Sequence, residues 1–78
     1  MRERELSTVI TFKHTTSAMA MERLCREKGV EGRLIPVPRC ITAGCGLSWR
    51  APLQAKEDLK LAMETAAIAY DHIYELEI

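Results

Sequence analysis

"RLIPVPRCITAGCGLSWRA", residues 33–51, decides the fold. Arg33 to Val37 reads as a short strand stopped by Pro36 and Pro38, because proline has no amide to give a ladder and belongs at strand ends or edges. Gly46 to Ala51 alternates Leu47 and Trp49 against Ser48 and Arg50, the period of a second strand. Two strands joined by a loop rich in glycine and cysteine make a hairpin, with the first of them at a sheet edge.

Outward from the hairpin the pattern is symmetrical. On the N-terminal side, KHTTSAMAMERLCREKG places Ala18, Met21, Leu24 and Cys25 at helical spacing, with Thr15 or Thr16 as the N-cap and Gly29 as the stop. This predicts a helix over about residues 16–28. On the C-terminal side, Pro52 suits a first helical turn, and Leu59, Ala62, Met63, Ala66 and Tyr70 recur with helical period beside an exposed Lys60 and Glu64 pair. A second helix over about residues 53–69 is expected. Met19, Met21 and Met63 read as core filler.

Beyond each helix lies another strand. LSTVITF, 6–12, puts Leu6, Thr8, Ile10 and Phe12 on one face, and DHIYELEI alternates Tyr74, Leu76 and Ile78 against Glu75 and Glu77. The order β-α-β-β-α-β is that of an α+β, ferredoxin-like split β-α-β fold: a four-stranded antiparallel sheet in the order 4-1-3-2 with both helices on one face. The opposite face, carrying Val9 and Thr11, is then expected to meet solvent or a second copy in a homo-oligomer.

With 78 residues the chain is read as one domain over 1–78, and a domain this small buries only about 60–65% of its unfolded surface. Eleven basic and eleven acidic residues cancel without a long block of either sign, which argues against a nucleic-acid or membrane partner. The absence of a secretory or membrane-spanning run gives a cytoplasmic expectation, where thiols stay reduced unless used. Three cysteines allow at most one intrachain disulfide and exclude a disulfide scaffold.

In this topology the hairpin loop sits at the end of the domain where the first helix starts and the last strand begins. Cys40 and Cys45 should therefore share an edge with Lys13, His14, the amides of Thr15, Thr16 and the next two residues, and His72. A helix N-terminus, a lysine or a protonated histidine each lowers a thiol pKa. Cys45 lies between Gly44 and Gly46, which leave it uncrowded and let amides turn towards an anionic sulfur. Arg39 can steer an anionic substrate or a partner carboxylate, Cys40 can resolve an oxidised or persulfidated Cys45, and Cys25 reads as a small core residue. Four zinc ligands are countable in Cys40, Cys45, His14 and His72, but their spacing is not that of a zinc knuckle; no metal and no cofactor is expected.

The stretch PVPR followed by CGLSWR, with the T-S-A-M-x-x-E-x-L helix start and the K-G-V turn before it, resembles the selenium/sulfur (Se/S) carrier protein-like family. The family motif falls on Pro36, Pro38, Arg39, Cys45 and Gly46; Cys40 lies outside it, and the Cys-Pro-x-Pro motif of the sulfur-relay carriers is absent. The resemblance implies a carrier more than an enzyme, holding sulfur or selenium on Cys45 between a donor enzyme and an acceptor protein. The residues alone leave two other readings open, a homo-oligomeric binding or assembly module and a thiol redox switch through Cys40 and Cys45.

Overall fold

The computed structural model describes residues 5–41 and 46–78. Its elements are β1 (Leu6–Thr11), α1 (Thr15–Lys28), β2 (Arg33–Pro36), β3 (Leu47–Pro52), a 3-10 turn (Leu53–Ala55), α2 (Lys56–Ala66) and β4 (His72–Glu77). The strands form one antiparallel sheet in the order β2-β3-β1-β4, and the fold is the ferredoxin-like β-α-β-β-α-β expected from the sequence. Both helices cover the face that carries Ile10 of β1, Phe12 just after it, and Trp49 and Ala51 of β3. Against these pack Ala18, Met21 and Cys25 of α1 and Leu59 and Met63 of α2. Each large side chain removed from water here contributes about 1.5–3 kcal/mol before conformational entropy is counted.

Both helices stop in the same way. Gly29 is left-handed (φ 71°) and the amide of Val30 donates to the Cys25 carbonyl at 3.0 Å, a Schellman end. Helix α2 ends equivalently at Ala67 (φ 55°), with the Ile68 amide donating to the Met63 carbonyl at 3.0 Å. This stops α2 at Ala66, short of the expected 69, because Ile68 turns inward onto the core while a non-glycine residue takes the left-handed position. Tyr70 is thereby outside the helix and 39% exposed, not on its inner stripe. At the other end of α2, Pro52 closes β3, and one 3-10 turn precedes the helix proper.

Three further expectations are corrected. The N-cap of α1 is His14, with extended backbone and no side-chain cap; Thr15 and Thr16 are already helical and exposed. Met19 is 58% exposed, since it falls on the solvent side of α1 between the buried Ala18 and Met21. The outer sheet face is covered from within: Val9 and Thr11 are fully buried, because β1 is central and its neighbours lean across it. Val9 lies in register between Arg50 and Tyr74, and the Arg50 guanidinium reaches across β1 to donate to the Ile78 carbonyl at 3.1 Å. Burial of these two residues therefore needs no second copy.

At the start of β2 the packing is tight. A Cβ on Gly32 (φ 139°) would fall onto the Trp49 indole and lie 2.8 Å from the Arg50 carbonyl oxygen. Only glycine fits there. Trp49 Nε1 is buried with no acceptor among the described residues, and Trp49, Gly32 and Cys25 line a common cavity of about 180 Å³.

Candidate functional site

The register fixes one end of the domain. Pro36 pairs with Leu47, Thr11 pairs with both Ser48 and His72, and α1 starts four residues after Thr11, so the hairpin loop, the start of α1 and the start of β4 meet there. The β4 connection is tied to β1 by the Asp71 amide, which donates to the Thr11 carbonyl at 2.7 Å, and by the His72 amide, which donates to Thr11 Oγ1 at 3.2 Å.

The hairpin runs one step past the ladder, the Val37 amide donating to the Gly46 carbonyl at 3.0 Å. Gly46 is left-handed (φ 78°) with open space where a Cβ would lie, so it is required by backbone conformation and not by crowding. On the other arm, the Ile41 amide donates to the Pro38 carbonyl at 3.0 Å, closing a turn with Arg39 and Cys40 at its corners. Arg39 and Cys40 are both exposed, and Cys40 is a free thiol. Gly44 and Cys45 lie outside the described residues.

Facing the loop, α1 begins without a side-chain cap. The amides of Ser17 and Ala18 donate back to the His14 carbonyl at 3.1 and 3.3 Å, while those of Thr15 and Thr16 have no acceptor among the described residues. With the helix dipole they give this end a partial positive charge, next to Lys13 and His14. His72, read as a neighbour, holds its Nδ1 3.2 Å from Asp71 Oδ2, an ionic contact only when the imidazole is protonated, and stacks at a tilt on Tyr74.

The structure thus brings His14, Thr15, Thr16, Arg39, Cys40, Gly46 and His72 to one end. It does not join them: among the described residues no hydrogen bond or ion pair links Arg39 or Cys40 to His14, Thr15 or Thr16. Nor do three His, Cys, Asp or Glu gather in a metal-holding group among the described residues. Sequence reasoning missed a small apolar cavity of about 110 Å³ at this end, between Lys13, His14 and Ser17 at the head of α1 and Ala69 and Tyr70 after α2. No sequence signal marked it, because Tyr70 fits helical spacing as well as it fits a loop.

Cys25 is at the other extreme. It is 1% exposed, and burial pushes its thiol above the ordinary value of 9.0. A neutral thiol in the core is not a nucleophile.

The described residues form a ferredoxin-like β-α-β-β-α-β arrangement of one four-stranded sheet and two helices. The family model described as "Putative Se/S carrier protein-like" matches residues 7–75, and the chain belongs to that family. Comparison with the curated proteins and with the solved structures returns no match. No helix among the described residues is long and apolar enough to cross a membrane.

Proposed function

We propose that the chain, acting as one domain over residues 1–78, carries sulfur or selenium on Cys45 as a persulfide or selenopersulfide and passes it to an acceptor protein. The observation that carries this reading is the family match, which spans the whole cysteine loop. In the loading step the Cys45 thiolate attacks the terminal sulfur of a donor enzyme's persulfide. A new sulfur–sulfur bond forms at Cys45, the donor's own bond breaks, and the donor cysteine leaves as a thiolate. The exchange is redox-neutral, and selenium follows the same course from a donor perselenide. Transfer to the acceptor repeats it in the other direction.

The geometry supports the residues assigned to this work. Gly46, next to Cys45 in sequence, is left-handed and carries no side chain, and the uncapped start of α1, with Thr15, Thr16 and His14, supplies positive potential at the same end. Gly44, the residue before Cys45 in sequence, likewise has no side chain. Arg39, exposed in its turn, is placed to meet an acidic partner surface. Cys40 is assigned the resolving role for an oxidised Cys45: once a peroxide has converted the unloaded Cys45 to the sulfenic acid, the Cys40 thiolate attacks its Sγ, hydroxide leaves, and an external thiol reduces the Cys40–Cys45 disulfide that results. A reducing cytoplasm is the compartment this cycle needs.

The test is the intact mass after incubation with a cysteine desulfurase and cysteine. Gain of one sulfur atom in the wild type and in Cys40→Ser, lost in Cys45→Ser, supports the carrier. No gain in any form sinks it, and loss of two hydrogens on mild oxidation without any sulfur gain favours the redox switch.

A further inference from the structure

At the end of the sheet away from the cysteine loop, Arg33 of β2 stands directly opposite Arg50 of β3 on the outer face. Like charges opposite each other in a sheet cost stability, and here the Arg50 side chain turns away across β1. Arg50 donates to the Ile78 carbonyl at 3.1 Å, and Arg33 has no ion pair among the described residues. Both line a cavity of about 240 Å³, together with Glu5, Ser7, Glu31 and Pro52. Neither Glu5 nor Glu31 makes an ion pair among the described residues, so both signs of charge border one cavity without neutralising each other. The Ser7 hydroxyl is occupied, donating to the Glu5 carbonyl at 3.3 Å.

We propose that this cavity binds a small zwitterion of the α-amino acid class, its carboxylate on Arg33 and on the Arg50 N–H donors that Ile78 leaves unused, and its ammonium on Glu5 and Glu31. Arginine is the side chain whose planar fork matches a carboxylate with two parallel hydrogen bonds. A simple anion would be repelled by the glutamates and a simple cation by the arginines; only a ligand with both charges satisfies both pairs. The volume is below the roughly 300–1,000 Å³ of pockets for drug-sized ligands, which suits a free amino acid with a short side chain. Gly32 lines this cavity and backs onto the Trp49 indole.

Trp49 is the sole tryptophan, so its single indole N–H resonance reports on this corner of the full chain. Titration with L-serine and L-cysteine is expected to shift it saturably. Acetate and methylamine at equal ionic strength should bind at least about tenfold more weakly, as each forfeits one set of charge-assisted bonds. Arg33→Gln, a change at an exposed position, should weaken the amino acids by about tenfold, and if that variant does not fold, Glu31→Gln must do so instead. Cys45→Ser should leave the titration unchanged, which separates this proposal from the carrier reading. No saturable shift with either amino acid, acetate binding as tightly as they do, or a folded variant with unchanged affinity would each overturn it.

Discussion

Cys25 and Cys40 are the same side chain in opposite surroundings. Cys25 sits on the inner face of α1, 1% exposed beside Met21, Trp49 and the backbone of Gly32, and burial holds its proton on. Cys40 stands, exposed, at the corner of the turn that begins at Pro38. The two differ by topology, which sets Cys25 on the buried face of α1 and Cys40 in an exposed turn, and not by the cysteine itself.

The sharpest way to break this contrast is by alkylation rate. The folded protein should lose the Cys40 thiol to iodoacetamide roughly a hundredfold or more faster than the Cys25 thiol, since Cys25 reacts only when the core opens. Equal rates would mean that α1 does not protect its inner face. Gly32→Ala attacks the shield directly: a methyl pushed into the Trp49 indole, on a left-handed backbone, should cost about 2–4 kcal/mol in urea unfolding. It should speed Cys25 labelling while leaving Cys40 unchanged; a loss under about 0.5 kcal/mol would mean the indole moves aside freely.

Cys25→Ser should cost about 1–3 kcal/mol, because it buries a hydroxyl in an apolar setting. The same burial sets a pH dependence. The folded protein binds the Cys25 proton more tightly than the unfolded chain, so this contribution to stability is complete below the unfolded value of 9.0. It is lost as pH rises from there towards the folded value. Cys25→Ala should flatten that part of the stability profile, and an unchanged slope would contradict the assignment. Smallest of all, Cys40→Ser should change stability by no more than about 0.5 kcal/mol, and a larger loss would mean that the turn depends on its sulfur.

The elements were legible where one local signal dominated. Period-two runs gave β1 and β4, and Gly29 gave the end of α1, because glycine alone takes the left-handed position cheaply. The end of α2 was hidden, since Ala67 takes that position with no compositional mark and Ile68 and Tyr70 continue a plausible helical pattern. The N-cap was hidden for a similar reason: two threonines look like caps, yet the chain leaves β1 so directly that His14 holds the position. The covered outer face depends on Arg50 reaching over β1 to Ile78, a contact between residues distant in sequence. For the candidate site, strand order was enough to bring Arg39, Cys40, Gly46, His14, Thr15, Thr16 and His72 to one end. Spacing could not reveal the 110 Å³ cavity beside them, which forms between the head of α1 and the residues that follow α2.

The central claim is that one sulfur of three carries the cargo. It is tested most directly by loading the wild-type protein from a desulfurase, trapping persulfides with an alkylating reagent, and mapping the added atom by peptide mass spectrometry. The account predicts the added sulfur on the peptide position of Cys45, with Cys40 and Cys25 alkylated as simple thiols or left unmodified. An added sulfur on Cys40 or Cys25, or on none of the three, would contradict it.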